Sequence, residues 1–400
     1  MHDMNKSLFA ALVAFAPVVA PEALAVETAE PQDVPPLFAV GKEIPSTPEK
    51  WHNGRRAEIK KLLEQEVYGK RPVEKPPHLV FSEEEPESVA MDGAAVRKRV
   101  RIEYGGAFGT NSFVVTAFIP RQEKPAPAFI LICNRDPEKN IDPTRKNKSD
   151  FWPAEEIVAR GYAAVAFYNG EISPDRQHGN TLGVFAAFED VERQYRPPTE
   201  WGMLSAWAWG ASRILDWIET EPRIDAKHVA VVGHSRGGKT ALVAAAWDER
   251  FAMACSNDSG AGGAKLNHMN LPGSEQIANL AVSFQFWFCR QFTRWAGRDM
   301  QTPFDQHMLV ALIAPRLVCI GSATEDKWAG PFGEYTTARY ASSAWTDVYG
   351  KKGFVSAGFP APESPQQDGD ISYHLRTGKH NLTPYDWSVY MDFADKHGWR

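Results

Sequence analysis

The sequence of 400 residues predicts an α/β fold in which helices cover both faces of a mostly parallel central sheet. Three observations support this prediction: apolar runs alternate with stretches of helical periodicity, several runs are apolar throughout, and one run, 228–232, leads directly into a glycine-rich turn. Runs that are apolar throughout are typical of parallel strands buried on both faces. We therefore expect a sheet that lies between two layers of helices.

The individual elements follow from the spacing of their apolar residues, because consecutive or alternating apolar residues predict strands and a spacing of three and four predicts helices. Strands are predicted at 96–104, 113–119, 128–133, 163–167, 229–232, 253–256 and 317–321. Helices are predicted at 59–67, 153–160, 203–218, 240–247, 276–295 and 333–344, and a last helix has Thr383 as its cap and Pro384 as its first residue.

The domain organisation follows from where periodicity begins. Residues 26–48 are rich in proline and acidic residues and show no periodicity, so we expect an extended lead-in along the surface. No repeat and no interdomain linker follows, which predicts one catalytic domain at 49–400. A hydrophobic content of 43% supports a large core and excludes a disordered chain. The net charge is -6, and the chain has no basic stripe of the kind that binds nucleic acid, so we expect a neutral or polar small substrate or a polysaccharide.

The N-terminus has the pattern of a secretory signal peptide. Lys6 precedes an apolar run at 8–20, and Ala23-Leu24-Ala25 provides a small-x-small cleavage signal, which predicts cleavage near Ala25. The apolar run is interrupted by Pro17 and is shorter than the roughly 20 residues that span a bilayer, so a membrane anchor is not expected. The mature protein is predicted to be secreted or periplasmic. The cysteines, Cys133, Cys255, Cys289 and Cys319, lie in apolar surroundings that predict buried free thiols, with disulfides as the alternative.

The heptapeptide 233–239, Gly-His-Ser-Arg-Gly-Gly-Lys, is the strongest functional signal in the chain. It connects a predicted strand to a predicted helix, which is the setting of a G-x-S-x-G nucleophile elbow, and small residues at Gly233 and Gly237 allow the sharp turn. We therefore predict that Ser235 is a nucleophile. The alternative is a serine in a phosphate-binding turn, but the spacing differs from that of a P-loop.

A serine nucleophile needs a base, and the base needs a carboxylate that orients it. On α/β-hydrolase sheets these groups follow in the order serine, acid, histidine. Asp326 comes shortly after the predicted strand 317–321 and is the expected acid, with Glu325 beside it; both acids could instead interact with the dipole of a following helix.

Only three histidines follow Asp326 in the sequence. His380 lies in a glycine-containing loop before the last helix and is the expected base. His374 is a rival, and His397 is expected to be structural because it lies in the last helical turn. A metal pair of His374 and His380 lacks a third ligand of matching spacing, so we expect neither a metal nor a cofactor.

At this point the sequence resembles the glucuronoyl esterases, the fifteenth family of carbohydrate esterases, over about residues 51–399. The matching segments are 233–239, the stretch Asp-Ser-Gly-Ala-Gly-Gly-Ala at 258–264, the pair Trp287-Phe288, Ala-Pro-Arg at 314–316, and Trp-Ala-Gly-Pro at 328–331. The resemblance implies an α/β-hydrolase fold and metal-free cleavage of esters that link glucuronic acid or its 4-O-methyl derivative on xylan to lignin alcohols.

The resemblance also implies roles for particular residues. Arg236 would stabilise the oxyanion through its backbone N–H and its guanidinium, as a fixed cation beside the nucleophile can. Lys239, one helical turn beyond Ser235, would bind sugar hydroxyls, unless it is a solvated surface lysine. Gln276 and Trp328 would contact the uronate, unless they serve only in packing.

One departure from the fungal pattern concerns the acid. Fungal members carry a glutamate immediately before Ser-Gly-x-Gly-Gly, where this chain has Asp258, whereas they lack an acid at the position of Asp326. We therefore expect Asp326 to be the working acid and retain Asp258 as an alternative partner of His380.

Two other functions remain open from the sequence. The same fold could hydrolyse acetyl or aryl esters, because a fold does not determine the acyl group. The chain could also be an inactive hydrolase that binds carbohydrate, although the presence of Ser235, Asp326 and His380 argues against this. The oligomeric state is not predicted.

Overall fold

A computed structural model describes residues 30–38, 44–269 and 271–400. Within this part of the chain, nine strands form one sheet in the order β1-β2-β3-β5-β4-β6-β7-β8-β9. The strands are β1 His78–Ala90, β2 Ala95–Gly106, β3 Gly109–Pro120, β4 Ala126–Cys133, β5 Ala163–Tyr168, β6 Ile224–His234, β7 Met253–Asn257, β8 Leu317–Ala323 and β9 Ile371–Arg376. Strands β1 to β3 are antiparallel to their neighbours, and β5, β4, β6, β7, β8 and β9 are mutually parallel.

Helices cover both faces of this sheet. They are α1 Pro48–Trp51, α2 Ala57–Leu63, α3 Pro137–Asn140, α4 Ala154–Ala159, α5 Asn169–Ile172, α6 Val184–Phe188, α7 Met203–Ile218, α8 Arg236–Trp247, α9 Ile277–Ser283, α10 Gln306–Ala311, α11 Pro331–Ala341 and α12 Pro384–Lys396. Short 3₁₀ helices at Gln285–Trp287 and Arg290–Trp295 follow α9. The predicted α/β architecture is thus confirmed.

The central strands contribute alternately to two hydrophobic cores. On β6, Val229 and Val231 belong to the core that contains the apolar residues of α7, whereas Ala230 and Val232 belong to the core on the opposite face, which includes Trp387 of α12. Successive side chains of a strand point to opposite faces, so a strand that is apolar throughout fills both cores. This is why the parallel strands β4 to β8 were recognisable from their uninterrupted apolar runs.

The predicted elements differ from the observed ones in two places that matter for the site. The helix predicted at 276–295 is wrong beyond Ser283, because the chain turns at Phe284 and the Phe284 and Trp287 rings stack with centroids 4.1 Å apart. Strands β1 and β9 were not predicted. Strand β9 contains buried His374 and Arg376, whose polar side chains conceal the strand pattern.

The N-terminal predictions are only partly within the described residues. The signal peptide predicted at 1–25 lies outside them, as does part of the lead-in at 26–48. Residues 30–38 run along the domain: Gln32 N–H donates to His268 O at 3.2 Å, and Leu37 is buried. In the described ranges, no helix has the length and apolar character needed to cross a membrane.

Candidate active site

Ser235 sits at the turn between β6 and α8. Its backbone has φ 58° and ψ −124°, a strained conformation for a residue with a side chain, and its N–H donates to Asn257 O at 2.8 Å. A side chain at Gly233 would place its Cβ 2.0 Å from Gly237 O, so the turn can close this tightly only with glycine at that position. The strand, turn and helix predicted for the elbow are therefore present, and the turn leaves Ser235 partly exposed at the carboxyl edge of the sheet.

His380 and Asp326 lie at the same edge because they follow neighbouring parallel strands. Asp326 follows β8, and His380 follows β9, its parallel partner. His380 Nδ1 lies 2.5 Å from Asp326 Oδ2, and Asp326 Oδ1 accepts the Ala329 N–H at 3.2 Å. The carboxylate is buried, whereas 41% of the His380 side chain is exposed. With Nδ1–H donating to Asp326, His380 Nε2 is free to accept a proton.

The His380 ring also contacts the residue that precedes the elbow serine. The rings of His234 and His380 have centroids 4.3 Å apart, and His234 Nδ1 lies 2.6 Å from Asn257 Oδ1. Burial lowers the pKa of His234 well below its usual value, and the neighbouring His380 lowers it further, so His234 is neutral. Among the described residues, Ser235 Oγ has no hydrogen-bond partner; catalytic hydrogen bonds of a free site often shorten only with substrate.

Asp258 is the second carboxyl group beside His380, and Arg376 connects it to the loop that carries the histidine. Arg376 Nη2 donates to Asp258 Oδ2 at 3.1 Å and to Lys379 O at 2.8 Å, and it also donates to Asn381 O. Burial raises the pKa of Asp258 well above its usual range, the nearby Asp326 charge raises it further, and Arg376 opposes the shift. A carboxyl group that is harder to ionise is the weaker partner for an imidazolium, so this environment favours Asp326.

In the described part of the chain, Asp258, Asp326 and His380 form the one group that could hold a metal ion. One ligand atom from each lies within 4.8 Å of the others. A metal at this point would replace the proton shared by His380 and Asp326, and the Arg376 guanidinium beside Asp258 would repel it. The absence of a metal from the reaction stays a prediction.

Arg236, the residue after the nucleophile, is held in place by two side chains. Its Nη1 donates to Asp175 Oδ2 at 2.8 Å, and its guanidinium lies over the Trp287 ring, 5.3 Å from the centroid. Trp287 Nε1 donates to the other Asp175 oxygen at 2.7 Å, so the three groups form a closed unit. Arg236 Nε is buried and has no partner among the described residues. A fixed guanidinium with an unused N–H beside Ser235 can stabilise a developing oxyanion.

Lys239 has protein partners that its predicted role did not include. Lys239 is buried, and all three N–H groups of its ammonium are engaged: Nζ donates to Ser259 O and Ala261 O at 2.6 Å and to Glu275 Oε2 at 2.7 Å. It is not a solvated surface lysine, and because these three protein groups engage the three donors of its ammonium, its contact with sugar hydroxyls stays a prediction. Its role in the structure is to fix the turn at 258–264 and the Glu275 carboxylate.

Glu275 connects this buried cation to the exposed Trp328. Glu275 Oε1 accepts the Trp328 Nε1–H at 3.3 Å, and the Glu275 N–H donates to Trp328 O at 2.8 Å. Trp328 is 46% exposed, so one face of its indole is open to a ligand. Gly260, with φ 62°, lets Glu275 approach closely, since a Cβ there would lie 2.7 Å from Glu275 Oε2.

Three other candidate residues have structural partners. Gln276 caps α9: its side chain accepts a backbone N–H of the first turn, and its own N–H donates to Asn279 Oδ1 at 2.8 Å. His374 is fully buried on β9 with Nε2 2.8 Å from Asp386 Oδ1, which removes it as a rival base. His397 caps α12, and its Nε2 lies 3.1 Å from Gly369 O. The uronate contact expected of Gln276 stays a prediction that must be reconciled with its capping role.

Comparison with known proteins shows which family this chain resembles. Residues 106–349 match the family described as "Glucuronyl esterase, fungi". The chain is 35% identical over 389 residues to a carbohydrate esterase of an unknown prokaryotic organism, covering 90% of this chain and 88% of that protein. A 4-O-methyl-glucuronoyl methylesterase of Podospora anserina is 32% identical over 228 residues, covering 54% of this chain and 45% of the fungal protein. A solved glucuronoyl esterase structure from Solibacter usitatus has a TM-score of 0.82 and 33% identity, covering 93% of this chain and 99% of that chain.

The chain belongs to the glucuronoyl esterase family. It is accordingly a carboxylic ester hydrolase with an α/β-hydrolase fold, as its sequence predicted.

Several residues that shape the site of this glucuronoyl esterase were not identified from the sequence. They are Asp175, Glu275, Trp287 as a support of Arg236, and Arg376. Glu275 had a detectable signal, because it is an acidic residue next to Gln276 in the region where substrate contacts were expected. Asp175 and Arg376 gave none, since each meets its partner only across the folded sheet, about 60 and 120 residues away in the sequence.

Proposed function

We propose that Ser235, His380 and Asp326 form a catalytic triad that hydrolyses esters of glucuronic acid through an acyl-enzyme intermediate. Ser235 Oγ attacks the ester carbonyl while His380 Nε2 accepts its proton, and His380 then delivers that proton to the oxygen of the leaving alcohol. Water next attacks the acyl-enzyme with His380 as base, and the proton returns to Ser235 as the uronate leaves. Asp326 orients His380 and stabilises its charged form throughout.

The observation that carries this proposal is the pair of His380 and Asp326, 2.5 Å apart, beside a strained elbow serine. A partly exposed histidine with one nitrogen held by a buried carboxylate is what a general base requires. Arg236 supports the proposal from the other side of Ser235. Its backbone N–H and guanidinium would together bind the oxyanion, and Asp175 and Trp287 keep the guanidinium from swinging away.

The acyl group is proposed from the names of the relatives and from Glu275 and Trp328. The fungal relatives are named for 4-O-methyl-glucuronoyl esters. A carboxylate that accepts hydrogen bonds from vicinal hydroxyls and an indole face that stacks on a sugar ring would suit a pyranose acid far better than an acetyl group. Lys239 would hold Glu275 ready for that contact. The alcohol would be a lignin alcohol, with the uronate attached to xylan.

We further propose that the protein acts outside the cytoplasm after cleavage near Ala25. This rests on the pattern of residues 1–25 and on the polymeric substrate, which does not enter a cell. Mass spectrometry of the secreted protein is expected to find its first residue at or near Val26. A cytoplasmic product that retains Met1 to Ala25 would contradict this part of the proposal.

The experiment that tests the proposed activity compares two esters. Purified protein is expected to hydrolyse benzyl glucuronate with a kcat/KM at least roughly 100-fold above that for 4-nitrophenyl acetate, about 2.7 kcal/mol of discrimination. Glu275→Gln should remove most of this preference while leaving acetate hydrolysis nearly unchanged. Equal rates on both esters would favour the general acetyl or aryl esterase, and no hydrolysis of either would favour the inactive carbohydrate-binding homologue.

A further inference from the structure

A second histidine lies directly against the proposed base, and the proposed proton transfer does not use it. The ring centroids of His234 and His380 are 4.3 Å apart, with an angle of 48° between the ring planes. His234 is buried at the end of β6, immediately before Ser235, whereas His380 is partly exposed in the loop after β9. Two imidazoles in contact can share a proton, so the structure must determine which of them takes it.

The two histidines have different hydrogen-bond partners. His380 Nδ1 lies 2.5 Å from a carboxylate oxygen of Asp326, whereas His234 Nδ1 lies 2.6 Å from the amide oxygen of Asn257. Asn257 Nδ2 donates to Asp386 Oδ1 at 3.2 Å, which keeps the amide oxygen towards His234. An amide oxygen accepts only, so His234 carries its proton on Nδ1. A carboxylate stabilises an imidazolium and an amide does so far less, so the partners favour a charge on His380.

The surroundings of His234 also oppose a second proton on its ring. Burial lowers the pKa of His234 well below its usual value, and the nearby His380 and Arg135 lower it further. A second proton would place an N–H at Nε2, which is buried and has no partner within the described ranges. Asp258 Oδ2 lies 3.9 Å from His234 Nδ1, but Arg376 pairs with the same oxygen at 3.1 Å and offsets its charge. The proton that the serine gives up is therefore held by His380.

The His234 ring is fixed in its position against the base. Besides its bond to Asn257, it contacts the Phe151 ring at 5.8 Å between centroids, with the ring planes nearly perpendicular. The guanidinium of Arg135 lies over Phe151, 4.2 Å from the ring centroid. His234 cannot move away from His380 without breaking the bond to Asn257 and displacing a packed aromatic ring. It is a rigid surface for the His380 ring.

A rigid neutral ring also affects the charge that forms during the reaction. Proton transfer makes His380 a cation, and the face of a neutral aromatic ring attracts a cation within about 6 Å. At 4.3 Å, His234 is inside that range. Of the charged side chains at this edge of the sheet, Asp326 attracts the cation, whereas the charges of Asp258 and Arg376 oppose each other. The charge on His380 develops in the transition state, so the ring should affect kcat and not substrate binding.

We propose that His234 is a positioning residue for the base: its ring holds His380 in place and stabilises the imidazolium that forms when Ser235 gives up its proton. This inference rests on the proposed function, which makes His380 the base. It applies to any acyl group, because His234 acts through His380.

Two substitutions separate the ring of His234 from its hydrogen bond. His234→Gln keeps an N–H that can donate to Asn257 and removes the ring, whereas His234→Phe keeps a ring and leaves the Asn257 oxygen without its donor. His234→Gln is expected to lower kcat for benzyl glucuronate roughly tenfold with KM unchanged, and His234→Phe to stay within about threefold of the parent. A purely structural role predicts the reverse order, because only His234→Phe leaves a buried oxygen unsatisfied.

The matched control is His228→Gln, which removes a histidine earlier in the same strand. His228 Nδ1 lies 2.7 Å from Asp225 Oδ2, and the substitution should leave kcat unchanged. Thermal unfolding of each variant establishes that it is folded.

A second measurement needs no substrate. NMR of ¹⁵N-labelled histidine follows the protonation of His380 in the parent, His234→Gln and His234→Phe. Loss of the ring is expected to move the midpoint of this titration to lower pH by up to roughly one unit, the equivalent of a tenfold effect, and His234→Phe should keep the midpoint of the parent. His234 itself should stay neutral, with its proton on Nδ1, while His380 titrates.

Three results would overturn the role of His234. They are an unchanged kcat and midpoint in His234→Gln, a larger loss of kcat in His234→Phe than in His234→Gln, and a His234 that takes up a proton before His380. If His234→Phe does not fold, the midpoint in His234→Gln decides. A parent protein that hydrolyses neither benzyl glucuronate nor 4-nitrophenyl acetate would refute the proposed function, and the NMR titration would still decide whether His234 stabilises the charged His380.

Discussion

Two carboxyl groups lie near one histidine, His380, and their surroundings distinguish them. Asp326 contacts His380 directly at 2.5 Å, whereas Asp258 gives its closest contacts to Arg376 and to the Asn381 N–H, at 3.1 and 3.3 Å. The sequence pointed to Asp326 by its place after a strand, and the geometry gives the reason. Asp258 acts as the anchor of an arginine more than as the partner of the base.

Asp326→Asn is predicted to lower kcat for benzyl glucuronate by roughly three to four orders of magnitude, because the amide would hold His380 in the wrong tautomer. Asp258→Asn should cost no more than roughly tenfold, since it weakens only the contacts of Asp258 to Arg376 and to the Asn381 N–H. Steady-state kinetics of the two variants measures both effects. Equal losses would mean that both carboxylates serve the histidine, and a larger loss for Asp258→Asn would reverse the assignment.

The contacts of Lys239 could be found only from the structure and not from the motif that contains it. Its spacing from Ser235 was correct for the site, but the sequence could not reveal that two carbonyl groups and Glu275 would use all of its donors. A buried ammonium that loses its partners, or a partner that loses the ammonium, leaves polar groups unsatisfied in the interior. Lys239 is therefore expected to matter first for stability and only through Glu275 for substrate.

Lys239→Ala is predicted to lower the free energy of unfolding by about 3–5 kcal/mol, because Glu275 and two backbone carbonyls lose a buried cation. Glu275→Gln should have a smaller effect on stability and a selective one on glucuronate esters. Chemical denaturation of both variants, with the exposed Lys379→Ala as control, measures the difference. A Lys239→Ala protein of unchanged stability with a selective loss of glucuronate hydrolysis would restore the direct sugar contact.

Among the elements of the fold, strand β9 and the loop after it determine where His380 lies. Asp386 of α12 accepts from Arg376 Nε at 2.9 Å and from the Thr383 N–H at 2.8 Å, so the two ends of the His380 loop are fastened to one carboxylate. Arg376 adds its contacts to Lys379 O and Asn381 O from within. The cap residue Thr383 and Pro384 predicted α12. Sequence periodicity could not predict β9, since burial of Arg376 depends on partners that come from other elements.

Arg376→Gln is predicted to loosen the loop at 377–381 and to lower kcat by roughly 10–100-fold with little change in KM, because His380 would lose its fixed position. Hydrogen exchange of the loop amides should accelerate in this variant. Lys379→Ala, in the same loop but with its backbone contacts intact, is the control. Unchanged exchange together with full activity would show that Arg376 does not position the base.

In the molecule as a whole, most strands of the sheet could be predicted, because a strand that is buried on both faces is usually an uninterrupted apolar run in the sequence. Two segments could not be predicted because neither has a periodic apolar stripe. They are the edge strand β1, whose side chains are largely exposed, and the aromatic segment after α9. The same reasoning applies to the site. Ser235, Asp326 and His380 follow sheet strands and were predictable, whereas the supports of Arg236 come from loops far apart in sequence.

The four cysteines give a prediction for the whole fold. All are buried and free, and burial raises the pKa of Cys133 and of Cys289 to about 12, which suppresses the reactive thiolate. We expect a thiol reagent to modify none of them in the native protein and all four after unfolding, and a reductant to leave Tm unchanged. Fewer than four thiols in the unfolded, unreduced protein would reveal a disulfide.

Ser235 and His380 are proposed to act as one proton-transfer unit on a glucuronate ester. The most direct measurement is benzyl alcohol release from benzyl glucuronate by the parent protein, Ser235→Ala, His380→Ala and the double variant. Each single substitution is predicted to lower kcat by roughly four to six orders of magnitude, and the double variant should be little worse than either. Losses that multiply in the double variant, or appreciable turnover by Ser235→Ala, would show that the two residues do not form one proton-transfer unit.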